Sequence, residues 1–141
     1  MYRHILVATD GSRFSAPAVR AAAELAKALG AKLTGLHVVA PYFPVASGRA
    51  YASLSGFRRA VAKQASHALA AFNAAARSRG VAAASSSVIG GEPWQAILRA
   101  ARARQCDLIV MASHGRRGLA ALGSQTMKAV AHTRIPVLVC R

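Results

Sequence analysis

Acidic side chains are scarce in this chain: Asp10, Glu24, Glu92 and Asp107 face nineteen Lys and Arg, for a formal net charge of +15. Cysteine is nearly absent as well. Cys106 and Cys140 lie far apart with neither CxxC nor metal-type spacing, which excludes a disulfide framework and leaves two buried free thiols as the expectation. Aromatics make up 6% of the residues, so the aromatic-rich signatures of RNA-binding modules are missing. No apolar run approaches the ~20 residues of a membrane-spanning helix. The opening MYRHILVATDGS is too short in its apolar part for a signal h-region, and no small-residue cleavage site follows it, so a cytoplasmic location is expected.

Missing motifs exclude further classes. GxxxxGK[ST] does not occur, which removes the P-loop reading. No G-x-S-x-G elbow is present, and no nucleophile, base and orienting acid can be assembled, so a dedicated hydrolase is not supported. His4, His67 and His132 are dispersed, and no metal site is expected from them. His37 lies inside an apolar run and reads as a packed, hydrogen-bonded residue, and Trp94 reads as core. The positive charge would attract polyanions. Its carriers are spread over several helices without a dense basic run, so specific nucleic-acid binding is not expected.

What the chain does have is alternation. Apolar runs of strand length occur at 4–9, 32–39, 81–89, 107–112 and 135–140, the first of them (HILVAT) continuous enough to be buried on both faces of a sheet. Between them lie helical patterns. The first opens near Ser15 as a cap and Pro17 in the first turn, and stops at Gly30. The others cover 56–79, 92–105 and 124–133, with a loop at 40–55. Val19, Ala22, Ala23, Ala26 and Leu29 supply helical spacing in the first, and Phe57, Val61, Ala65, Ala68, Leu69 and Phe72 form the inner stripe of the second. Strict β-α alternation over 141 residues predicts one doubly wound α/β domain, a parallel sheet with helices on both faces. In such sheets ligands settle at strand carboxyl ends, where the winding reverses.

Two strand ends therefore matter. The first is Thr9-Asp10-Gly11-Ser12. The second is Met111-Ala112-Ser113-His114-Gly115, followed by Gly118 and by Gly123-Ser124-Gln125-Thr126 at a helix start. Free N–H groups at a helix start attract anions, and glycine lets backbone approach a phosphate. Ser124 and Thr126 hydroxyls could add donors or bind a phosphate-bound magnesium ion. On spacing alone, a plain N-cap at Ser124 is an equal reading. Asp10 either accepts hydrogen bonds from a ribose or adenine, or closes an Asx-turn into the first helix; Thr9 carries the same two readings. Arg116 and Arg117 suit phosphate contact, or point to solvent.

The stretches ILVATDGS, LHVV, GEPWQAIL, CDLIVMASHGRRG and GSQTMKAVAHTRIPVLVCR together resemble the universal stress protein family over the whole chain, residues 1–141. The resemblance implies a Rossmann-like five-stranded parallel sheet of order 3-2-1-4-5 and a homodimer paired through the last strand, Ile135 to Arg141. It also implies a branch of stress-response proteins that bind ATP through G-x2-G-x9-G-[ST], with at most slow hydrolysis, beside a nucleotide-free branch acting as interaction modules. Carried over, Asp10 and Val38 hold adenosine, Met111, Ser113, His114 and Gly115 line ribose and phosphates, and Gly123, Ser124, Gln125 and Thr126 clasp the phosphate tail. Ala8, Thr9, Ala112, Arg116 and Gly118 complete the expected set. The sequence departs from the pattern twice. Ala112 replaces its first glycine, and seven residues rather than nine separate Gly115 from Gly123, a loss of up to ~7 Å of extended reach.

Overall fold

The computed structural model describes residues 1–39, 53–114 and 122–141. Within them the order is β1 (His4–Ala8), α1 (Ala16–Leu29), β2 (Lys32–Val39), α2 (Leu54–Ser78), β3 (Ala83–Ile89), α3 (Pro93–Ala103), β4 (Leu108–Ala112), α4 (Ser124–His132) and β5 (Val137–Cys140). The strands form one five-stranded sheet of order β3-β2-β1-β4-β5. Every neighbouring pair is parallel, with Leu6 beside Thr34 on one side and beside Ile109 on the other. The expected architecture and strand order are those observed.

Why β1 is apolar from Ile5 onward follows from its position at the centre. Ile5 and Val7 pack under α1 and α2, against Ala18, Ala22, Ala26 and Phe72. Leu6 turns the other way, to α3 and α4, meeting Ile97, Leu98 and Ala129. A strand rotates alternate side chains to opposite faces, so a central strand covered twice needs apolar residues at both parities. β3 stands at the sheet edge, and its AASSSVI is mostly exposed, which explains its weaker apolar signal.

Gly35 in β2 marks a close approach. A Cβ there would lie 2.6 Å from the Phe72 ring, so only glycine lets the largest fully buried side chain of α2 lie flat on the strand. Alanine serves the same end on α1, where Ala18, Ala22, Ala23 and Ala26 are all buried and bring the helix close to the sheet.

Boundaries shift where side chains cap differently from expectation. The α2 helix starts at Leu54 rather than Gly56, because Ser53 takes the N-cap position and its Oγ accepts the Gly56 N–H at 3.1 Å. The rest of the expected 40–55 loop, residues 40–52, lies outside the described residues. Ser15 holds the N-cap position of α1 but does not cap with its side chain. Pro17 removes one of the N–H groups a cap would use, and Ser15 Oγ donates instead to the Ser12 carbonyl at 2.9 Å. The last strand begins at Val137, later than expected, since Pro136 has no N–H to enter the ladder and only its carbonyl is used, by Ile109 N–H.

Candidate functional site

The winding turns over between β1 and β4. The chain builds outward from β1 to β2 and β3 with α1 and α2 on one face, then crosses to β4 and β5 with α3 and α4 on the other. Connections leave β1 and β4 in opposite directions, so their carboxyl ends open a crevice.

At the end of β1, Thr9 is 7% exposed and committed to the fold. Its N–H donates to the Leu36 carbonyl at 3.0 Å. Its Oγ1 accepts the Gly11 N–H at 3.1 Å and bonds Ser15 Oγ at 2.9 Å. His37, 3% exposed, donates from Nδ1 to the Thr9 carbonyl at 3.1 Å, the packed role its sequence position implied. Asp10 follows with Oδ1 accepting the Ser12 N–H at 2.9 Å, an Asx-turn. This turn needs Gly11, at φ +76°, where an added Cβ would lie 2.5 Å from the Ala68 Cα of α2. Asp10 is half-buried at the strand end. Ala8 and Val38 are partly buried against the α3–α4 layer, in the same cluster as Met111.

At the end of β4 the backbone is held from three sides. Ser113 N–H donates to the Cys140 carbonyl at 2.7 Å, and the Ser113 carbonyl accepts Gly123 N–H at 2.6 Å. Thr126 Oγ1 donates to the Ala112 carbonyl at 2.9 Å. Ser113, 2% exposed, bonds His114 Nδ1 through Oγ at 2.7 Å. When the serine hydroxyl donates, the neutral ring carries its proton on Nε2. That Nε2 is a buried atom without a hydrogen-bond partner among the described residues. Gly115, Arg116, Arg117 and Gly118 lie outside the described residues.

Gly123, not Ser124, takes the N-cap position of α4, in extended conformation. A Cβ on it would lie 3.1 Å from the Ser113 carbonyl oxygen, so its small size seats the helix start directly on the end of β4. No side chain caps α4 and no acid occupies its first turn. Its first intrahelical bond is Met127 N–H to the Gly123 carbonyl, at 3.0 Å. The N–H groups of Ser124, Gln125 and Thr126 precede that bond, and they end a helix dipole with its positive pole toward the crevice. Ser124 is exposed there.

Gln125 is used differently from a simple clasp. Its Oε1 accepts the Trp94 N–H at 3.1 Å, and its Nε2 donates to Glu92 Oε2 at 3.3 Å. Lys128 pairs with the same oxygen at 3.3 Å. The Gln125 and Lys128 bonds hold the Glu92 carboxyl below its ordinary range. This network fixes the starts of α3 and α4 to each other. Trp94 packs against His132 with ring centroids 4.6 Å apart.

Reading the sequence alone misses two polar atoms near this end of the sheet. Ser12 Oγ and Gln64 Oε1 are buried without a hydrogen-bond partner among the described residues. Gln64 had a signal, since it falls three positions after buried Val61 and four before buried Ala68, on the inner stripe of α2. Among the described residues, no cluster of three His, Cys, Asp or Glu is arranged to hold a metal ion. No helix among them is long and apolar enough to cross a membrane.

Comparison with known proteins gives the same frame. The model of the universal stress protein family matches residues 1–141. A universal stress protein of Thermus aquaticus is 36% identical over 146 aligned positions, covering 100% of both chains. A solved universal stress family protein from Burkholderia pseudomallei is 30% identical, with TM-score 0.73, covering 98% of this chain and 95% of that one. A universal stress protein solved in complex with cAMP is 26% identical, with TM-score 0.68, covering 99% of this chain and 97% of that one.

Proposed function

The chain belongs to the universal stress protein family, and from that premise we propose that it is a cytosolic, homodimeric stress-response protein that binds an adenine nucleotide, ATP with magnesium in the first instance. The carrying observation is the uncapped start of α4, seated on the Ser113 carbonyl beside the end of β1. Three backbone N–H groups and the positive end of a helix dipole there suit a phosphate. Asp10, one strand over, suits the hydroxyls of a ribose or the edge of an adenine. Ala8, Val38 and Met111 offer an apolar floor for the base. The likeness to a protein solved with cAMP supports the same ligand class.

Roles within the set divide by how each side chain is already engaged. Thr126 spends its hydroxyl on Ala112, and Gln125 spends its amide on Trp94 and Glu92. Both therefore reach a phosphate through their backbone N–H. Ser124 is the hydroxyl that meets a phosphate or its magnesium ion. His114 Nε2 adds a donor at the β4 end; Gly115, Arg116 and Gly118, outside the described residues, keep the phosphate-side roles that the family pattern gives them. Dimerisation through β5 fits its position at the sheet edge with Leu138 exposed.

Titration calorimetry with ATP and magnesium tests the proposal. Binding heat that is weakened by Asp10→Asn, which keeps an Asx-turn acceptor, is the expected result. No heat and no thermal shift at millimolar nucleotide would remove it. The nucleotide-free docking module stands as second reading because Ala112 carries a methyl where the pattern has glycine and the 115–123 connection is short. Nucleotide retained through gentle purification counts against that second reading.

A further inference from the structure

Parallel strands place all their starts, and all the helix carboxyl ends, at the edge of the sheet opposite the crevice. Basic residues gather there. Lys27, Arg77 and Arg102 occupy the last turns of α1, α2 and α3. Arg3, Lys32 and Arg134 stand just before or at the starts of β1, β2 and β5, and all six are exposed. Arg3 and Lys32 adjoin directly, since Lys32 N–H donates to the Arg3 carbonyl at 2.9 Å.

The acids at this edge do not offset them. Glu24 is taken by Arg79 at 3.2 Å. Asp107 faces the backbone, accepting the N–H of Arg3 at 2.8 Å and of His4 at 3.0 Å. One cation near each helix end answers the helix dipole, but Arg3, Lys32 and Arg134 precede strands and have no such duty. We propose that this edge is a docking surface for nucleic acid, held through the phosphodiester backbone without sequence preference.

Two features favour nucleic acid over an anionic membrane. The edge is richer in arginine than lysine, and the guanidinium fork matches a phosphodiester. Its span across five strands, at ~4.8 Å per strand, is about 19 Å, enough to meet several successive phosphates.

Fluorescence anisotropy with a short labelled DNA duplex, titrated across salt, is the test. Contact of each of the six cations with one phosphate gives a log–log salt slope of about −5.4. The triple variant Lys27→Gln, Arg77→Gln, Arg102→Gln lowers affinity by at least about tenfold and flattens the slope by about 3. Lys32→Gln with Arg134→Gln, which touches no helix, flattens it by about 2 and guards against a folding defect in the triple. Arg58→Gln, Arg59→Gln, Lys63→Gln removes the same charge at the crevice half of α2 and changes affinity less than about twofold. Absent or salt-insensitive duplex binding overturns the proposal. So does an equal loss in both triples, which would mean net charge alone, or tighter binding to phosphatidylserine vesicles than to the duplex.

Discussion

Gly123 donates its N–H to the carbonyl of Ser113 at 2.6 Å, closing the end of β4 onto the start of α4. The same contact aims the first turn of α4 at the crevice, and Thr126 repeats it one step on by bonding the Ala112 carbonyl. Thr126→Val keeps the shape and removes that bond. It should cost about 1 kcal/mol in urea unfolding while nucleotide affinity, drawn from the Thr126 N–H, changes less than about threefold.

Gly11 joins the Asx-turn of Asp10 to α2. Alanine there meets both an unfavourable φ and the Ala68 backbone at 2.5 Å. That Cα is backbone, not a flexible side-chain tip. Gly11→Ala should therefore destabilise by about 2–4 kcal/mol, more than a simple left-handed penalty of ~1, as read by chemical denaturation.

Asp107 gives the fold an acid limit. Burial pushes its carboxyl up, but the N–H groups of His4 and Arg3 outweigh that and hold it below its ordinary value. A lowered folded-state value adds stability that is fully present above the unfolded value, about 4, and is lost as pH falls through the folded value. Stability should fall below about pH 4. Asp107→Asn should flatten that fall and cost about 1–2 kcal/mol at neutral pH, discounted for solvent screening.

Burial raises the Cys106 thiol to about 11, and burial raises Cys140 as well. Both cysteines are free, but only Cys106 is buried as expected; Cys140, in the edge strand β5, is partly exposed. The thiolate is the reactive form. A chromogenic disulfide reagent at neutral pH should leave Cys106 unreacted in the native protein and titrate both thiols in denaturant. Rapid native labelling of Cys106 would contradict its burial.

The architecture was legible because burial imposes periodicity. Ile5 to Ala8 are apolar at both parities since β1 is covered on both faces, and Pro93 opens α3 where a first turn tolerates it. What stayed hidden depended on choices among polar partners that spacing does not rank. Ser15 turned to Ser12 and Thr9 instead of its own helix, Gly123 displaced Ser124 as cap, and Gln125 joined Glu92 and Trp94. Asp10 is a further case: its spacing offered an Asx-turn and a ligand role as equals, and the turn is formed, with Oδ1 accepting the Ser12 N–H.

Amide shifts in ¹⁵N-labelled protein during an ATP–magnesium titration test the central claim most directly. Nucleotide held at the ends of β1 and β4 gives saturable changes concentrated at Ser124, Gln125 and Thr126 and at Asp10 to Ser12, with the β3 edge unmoved. An unchanged spectrum at millimolar nucleotide, or changes confined to residues away from the ends of β1 and β4, would contradict it.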